Sequence, residues 1–239
     1  MAGAALALAV RAQASPLLPA VQLTATSSVT GDSLSLSPTL VANPDGSLTT
    51  SGSEIKPSFS LDFSLLVQTD PTLSGTFTLT NLSSTTQFFS VTATMSVAPL
   101  AAPTKMGGFF GDLTYTDANQ DSTVTLATNG VDPFYRAQID GVTVQSLGSF
   151  NLNAFGGPGV FGTYAQQTWG TPIPSAPGPG VSSTIGVAFP AFSLTPGDSV
   201  QVPWEFVVNA PEPSFASLFA TGITLILLAA TRRKLFQDA

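Results

Sequence analysis

Asp117, Asn119 and Asp121 place three side-chain oxygens at alternate positions, the spacing with which a calcium-binding loop begins. The pattern then stops: Ser122 stands where such a loop needs glycine, and Thr128 where it needs a bidentate glutamate. A polar turn is therefore expected, and no metal site is assigned. Asp112, Asp132 and Asp140 supply the other carboxylates that a glycoside hydrolase would pair, but their spacing sets no two of them beside one cleft. Asn81-Leu82-Ser83 has the form of a glycosylation triplet, a common chance match in a Ser/Thr-rich chain. The chain contains no His and no Cys, which removes the usual general base near neutral pH, the commonest zinc ligand and all thiolate chemistry. No nucleophile motif or phosphate-binding glycine loop is present. The expectation is a protein that is not an enzyme and carries no cofactor.

Three aromatic residues have the chemistry to stack on sugar rings: Tyr164, Trp169 and Trp204. Trp204 alternates in phase with Val202 and Phe206 and is expected in the core. Trp169 lies within residues 156–180, a stretch dense in Gly and Pro that reads as an irregular surface loop pinned by its tryptophan.

The elements that must position these residues are strands. Phe59, Leu61, Phe63, Leu65 and Val67 recur with a period of two, and Leu73, Gly75, Phe77 and Leu79 repeat it after a polar break at residues 69–72, predicting a hairpin. Phe89, Val91, Ala93, Met95 and Val97 predict a third strand, which would complete a meander whose buried face calls for a second sheet. Shorter candidates follow at residues 113–115, 124–126, 135–139, 142–144 and 147–152, with Asp140-Gly141 as the clearest turn signal. Ile185, Val187 and Phe189 give another strand, and Val200 to Val208 in alternation give the last; Pro203 predicts that this final strand is an edge or bears a bulge. Nine to eleven strands, with helix confined to the chain ends, predict an all-β fold: an immunoglobulin-like or jelly-roll β-sandwich followed by a single C-terminal transmembrane helix.

Charged residues make up only 9% of the chain and the net charge is -7, with Lys56, Lys105 and Arg136 the only cations between the two terminal segments. Such a surface repels phosphate backbones, and nucleic acid is not an expected partner.

The C-terminal segment carries a different kind of chemistry, that of a substrate. Pro211-Glu212-Pro213 denies the backbone two donors and favours extended geometry, which suits a protease cleft. Residues 214–231 follow without a charge, 18 residues or about 27 Å of helix, enough for a thin bilayer core. Arg232, Arg233 and Lys234 end the span and orient it with the body of the chain outside the cytoplasm. Together Pro211-Glu212-Pro213-Ser214, the short span and the basic ending resemble a PEP-CTERM sorting signal, found on exported proteins of Gram-negative bacteria. The resemblance covers residues 210–239. It implies recognition by exosortase, a membrane cysteine transpeptidase/protease that cuts near the Pro-Glu-Pro motif, and association with species that make an extracellular polysaccharide. It carries no activity over to the rest of the chain.

At the other end, residues 1–10 are apolar and Ala12-Gln13-Ala14 has the small-x-small form of a signal-peptidase site, with cleavage expected before Ser15. The basic region that normally opens a signal peptide is missing, so the true translation start is expected further upstream. The implied organisation is a signal remnant at 1–14, an exported sandwich domain at 15–209 and a sorting tail at 210–239, with the Sec translocon, signal peptidase and exosortase as partners. The expected role is a structural or adhesive component of the envelope or extracellular polysaccharide matrix. The alternatives are a secreted carbohydrate-binding or weakly hydrolytic module and an uncleaved tail-anchored surface domain.

Overall fold

The period of two in the sequence becomes a period of two in burial: Phe59, Leu61, Phe63, Leu65 and Val67 are buried, whereas Asp62, Ser64 and Gln68 face solvent. The computed structural model describes residues 19–117, 119, 121, 123–128, 132–155 and 161–210. In chain order their strands are β1 (Val21–Ser27), β2 (Ser33–Leu36), β3 (Val41–Ala42), β4 (Leu48–Ile55), β5 (Phe59–Gln68), β6 (Thr72–Asn81), β7 (Gln87–Ser96), β8 (Thr104–Phe110) and β9 (Leu113–Thr116). Then follow β10 (Thr123–Thr128), β11 (Tyr135–Ile139), β12 (Val142–Leu147), β13 (Asn151–Phe155), β14 (Phe161–Tyr164), β15 (Gln167–Trp169), β16 (Ala176–Gly178), β17 (Thr184–Leu194) and β18 (Ser199–Asn209).

These strands form two antiparallel sheets, an all-β architecture consistent with a β-sandwich. The first runs β12-β11-β17-β7-β1-β2, with β10 and β13 extending the β11–β12 hairpin along β17; the second runs β14-β9-β18-β6-β5-β4-β3, with β8 beside β18 and the short β15 and β16 on β8. Among the described residues no helix is long and apolar enough to cross a membrane. The expected span at 214–231, the sorting residues Pro211, Glu212, Pro213, Ser214, Arg232, Arg233 and Lys234, and the N-terminal Ala12 and Ala14 all lie outside the described residues.

The core is filled with rings that meet across the sheets. Phe77 of β6 packs edge-on to Phe189 of β17 at 5.0 Å, and Phe59 of β5 to Phe89 of β7 at 5.9 Å. Phe134, just before β11, touches Phe110, Phe150, Phe189 and Phe192. Burying each such ring stabilises the fold by roughly 1.5–3 kcal/mol. The Tyr135 hydroxyl donates to the Glu205 carbonyl oxygen at 2.9 Å, so one polar bond also ties the sheets together.

Five sequence expectations are corrected. β5 and β6 do form the predicted hairpin, with Phe59 opposite Asn81 and Gln68 opposite Thr72. β7, however, crosses to the other sheet and pairs with β1 and β17, so the three strands are not a meander. The crossing puts Phe89 opposite the face that carries Phe59, which is how both bury their rings.

The predicted strand at 147–152 is interrupted at Gly148, which adopts φ 73°; β12 ends before it and β13 begins after it. The stretch 156–180 is not a loop throughout, because β14 pairs with β9, and β15 and β16 pair with β8. Their shortness and their Gly and Pro content hid them. The described residues form 18 strands against the nine to eleven expected, the additional ones being β1 to β4, β8 and β14 to β16.

Pro203 lies on neither an edge nor a bulged strand. β18 is central, flanked by β6 on one side and by β8 and β9 on the other. Trp204 faces Phe110 and Gln201 faces Thr114, so residues 202–203 oppose three residues, 111–113: the bulge belongs to the facing strand. Gly111 at φ 144° and Asp112 at φ 47° form it, and the Gly111 N–H donates to the Pro203 carbonyl at 3.2 Å. N–H and C=O of one strand residue point the same way, so the donor that proline lacks falls where the ladder is already broken.

Asp140 and Gly141, at φ 50° and 77°, make the predicted two-residue turn between β11 and β12. The Asp140 carboxylate accepts N–H bonds from Ser182 (2.7 Å), Ser183 (2.8 Å) and Thr184 (3.0 Å), fixing the hairpin tip to the start of β17. Desolvation raises its pKa, but the N–H groups of Ser182, Thr184 and Ser183 and the Ser183 hydroxyl outweigh this and bring it down to about 2. A folded pKa below the unfolded value means stability that is present above pH 4 and lost as pH falls from about 4 toward 2. Urea titrations across that range are expected to show a shallower loss for Asp140→Asn than for the native chain; identical slopes would remove Asp140 from the acid response.

Candidate functional site

The described residues gather polar groups most densely where β6, the segment after β9 and the β17–β18 turn meet. Asn81, at the end of β6, is fully buried on the inward face. Its Nδ2 donates to the carbonyl oxygens of Thr85 (3.0 Å), Leu194 (2.9 Å) and Thr195 (3.1 Å), while its Oδ1 accepts from the Ser83 N–H (3.0 Å) and hydroxyl (2.8 Å). Its backbone N–H donates to the Asp198 carbonyl and its own carbonyl accepts from Gly197 N–H. One side chain thus locks the β6–β7 crossing to the β17–β18 turn. This also disposes of the glycosylation triplet, because the acceptor amide is enclosed and fully bonded.

Against this turn lies the segment carrying the calcium-like spacing. Asn119 rests on Gly197, whose φ of 76° and lack of a Cβ allow the contact, and its Nδ2 donates to the Pro196 carbonyl at 2.6 Å. The Asp121 N–H is shared between Asp117 Oδ1 (3.1 Å) and Asn119 Oδ1 (2.9 Å). Asp117 is buried, and so is Asp198, the residue after Gly197. Asp198 Oδ2 accepts from the Thr195 hydroxyl, whereas Asp198 Oδ1 is enclosed with no hydrogen-bond partner. Burial pushes the Asp198 pKa up, the Thr195 hydroxyl opposes this, and the charges of Asp121 and Asp117 push it further, to about 6. Among the described residues no three His, Cys, Asp or Glu side chains form a ready-made metal-binding group. Thr128, at the position of the missing glutamate, lies in β10 with its hydroxyl directed to Phe150 O.

The other sequence candidates are separately engaged. Asp112 forms the bulge between β8 and β9, Asp132 pairs with Arg136 four residues on, and Asp140 holds the hairpin tip. None of them lines the apolar cleft of about 400 Å³ between Pro19, Thr69, Met95 and Pro99, or the cleft of about 370 Å³ between Pro38, Thr50, Glu54 and Phe63. Trp204 is in the core as predicted, at 2% exposure, against Phe189. Trp169 is buried and stacks on Phe206 at 5.9 Å, pinning its segment to the sheet. Tyr164 lies flat on Phe110, and its hydroxyl accepts from Gln167 Nε2 at 2.6 Å. All three rings are committed to packing.

Sequence reasoning found Asp117, Asn119 and Asp121 and missed Asn81 as a structural hub and Asp198 as their neighbour. Thr195-Pro196-Gly197-Asp198 reads as an ordinary turn, and only the pairing of β18 with both β6 and β9 brings it to residues 117–121. No protein-family model matches this chain, and no curated protein is significantly similar to it in sequence.

Proposed function

We propose that this chain is an exported, non-enzymatic β-sandwich protein of immunoglobulin-like or jelly-roll type, anchored first by a transmembrane helix at 214–231. Exosortase then processes it at Pro211-Glu212-Pro213, and the released domain serves as a structural or adhesive component of the envelope or the extracellular polysaccharide matrix. The observation that supports this reading is the position of the last described strand. β18 runs as a central strand to Asn209, with the Val208 N–H still held by Pro71 O, and Pro211 comes two residues later. The motif thus follows directly on the last described strand, the position expected of a sorting signal joined to an exported domain. The burial of Trp169 and Trp204, and the packing of the half-buried Tyr164 on Phe110, weigh against the carbohydrate-binding alternative.

Glu212→Ala is the direct variant. Expressed in the native host, it is expected to accumulate in the membrane with its tail intact, while Asp70→Ala, on the β5–β6 turn, is processed like the native chain. Equal processing of both variants would leave Pro211-Glu212-Pro213 as a rigid linker and nothing more.

A further inference from the structure

We propose that the outer edge of β4 is a self-association site, at which a second copy of this chain pairs antiparallel about Ile55 and continues the sheet across a two-fold axis. The starting point is an open ladder. β3 covers β4 only at Leu48 and Thr49, which lie opposite Ala42 and Val41. The Lys56 N–H donates to Phe59 O at 2.7 Å and the Asn43 N–H to Ser47 O at 2.8 Å, so even-numbered residues of β4 bond toward β5 and odd-numbered ones point away from it. The N–H and C=O groups of Ser51, Ser53 and Ile55 therefore line the edge, and they find no partner among the described residues. Nor does the other sheet cap this edge, since a cleft of about 370 Å³ parts residues 50–54 from Leu36 and Pro38.

An exposed edge normally carries a guard against strand addition. β12, at the margin of the first sheet, has one: Ala137 faces Gln145 and Gln138 faces Thr143, so Val144 bulges out of the ladder. On β4 the residues in that place select a partner instead. Ile55 is 72% exposed, the most exposed large apolar side chain among the described residues. Glu54 and Lys56 flank it on one face, and neither forms an ion pair within the described residues. Antiparallel pairing centred on Ile55 sets this residue against its own copy and each Glu54 against Lys56 of the partner copy, so both charges are matched twice. The same centre keeps the partner's strand clear of β3, which would obstruct a register centred on Ser51. The contact is one strand wide, below the usual area of a stable complex, so a weak dimer is expected. The pairing does not depend on how the tail is processed.

The chain has no Cys, so a single introduced thiol reports the contact without background. Directly opposed residues of a hydrogen-bonded antiparallel pair have Cα atoms about 5.5 Å apart, within disulfide range. Under mild oxidation of the purified full chain, Ile55→Cys is expected to form a disulfide-linked dimer roughly tenfold faster than Val142→Cys, whose native side chain is 67% exposed on β12. The tail is common to both variants, so the difference isolates the edge. In the Ile55→Cys background, Lys56→Glu is expected to slow cross-linking roughly tenfold, and adding Glu54→Lys to restore it, because the exchanged charges again face their opposites. Ser53→Pro removes only an outward-pointing N–H and is expected to abolish the dimer while leaving the melting temperature little changed. Equal cross-linking at residues 55 and 142, failure of the charge exchange to restore it, or cross-linking undiminished by Ser53→Pro would overturn the proposal and leave the edge to a strand of another protein.

Discussion

Asn81→Ala is expected to lower the free energy of unfolding by on the order of 3–5 kcal/mol, a large share of the roughly 5–15 kcal/mol typical of a domain. The loss comes from what the side chain leaves behind. Three carbonyl oxygens, of Thr85, Leu194 and Thr195, lose the amide that serves them, and the Ser83 N–H loses its acceptor. The site is fully buried, so water replaces few of these bonds. Asn81→Asp is the sharper control: it keeps the acceptor for Ser83 but turns a carboxylate oxygen toward three carbonyls, and is expected to be at least as damaging at neutral pH. Urea unfolding monitored by tryptophan fluorescence measures both. A loss below about 1 kcal/mol for either variant would mean that the β6–β7 crossing and the β17–β18 turn are not joined through this residue.

Phe189→Ala ranks beside it, with an expected cost of about 3–5 kcal/mol and a fall in melting temperature on the order of 10 °C. Phe189 is 1% exposed and touches four rings: Phe77 at 5.0 Å, Phe134 at 5.4 Å, Tyr135 at 5.9 Å and Trp204 at 6.2 Å. These neighbours come from both sheets and cannot all close the cavity at once, because each is fixed in its own strand or by a second ring contact. Phe189→Leu, which keeps most of the volume, is expected to cost less than half as much. Phe88→Ala, one residue from the core but 39% exposed, is expected to change stability by less than about 0.5 kcal/mol. Equal losses at 88 and 189 would contradict the inward phase of the two central strands.

The contrast between Phe88 and Phe189 also shows what the sequence could convey. Alternation of large apolar residues made β5, β6, β7, β17 and β18 legible, because each buries one face and exposes the other. β8 escaped notice because its inward positions include Thr104 and Gly108. The small residue at 108 is required: a Cβ there would run into the Glu205 carbonyl oxygen of the neighbouring strand and approach the Tyr135 hydroxyl, from the opposite sheet, to 2.9 Å. β4 was hidden for a related reason, since Gly52 lies beneath the Phe63 ring of its neighbour.

Sheet assignment was less legible than strand existence. Nothing local to residues 82–86 distinguishes a hairpin turn from a crossing between layers, and β7 takes the crossing. The acidic junction shows the same limit at longer range. Asp117, Asn119 and Asp121 are visible as a spacing, but Asp198 is 77 residues beyond Asp121 and becomes their neighbour only through the pairing of β18 with β9. The Pro203 reading erred in a similar way: proline correctly marked a break in the ladder, but the bulge that accommodates it lies on the facing strand.

The central claim concerns the fate of the tail, and intact mass of the protein recovered from membrane and culture-supernatant fractions of the native host tests it most directly. The comparison is between cells with and without the exosortase. Loss of the residues beyond about Pro211, confined to cells that have the enzyme, is the result predicted for a sorted extracellular protein. A tail that remains intact in the membrane in both strains would contradict it and leave a sandwich domain held permanently by an uncleaved anchor.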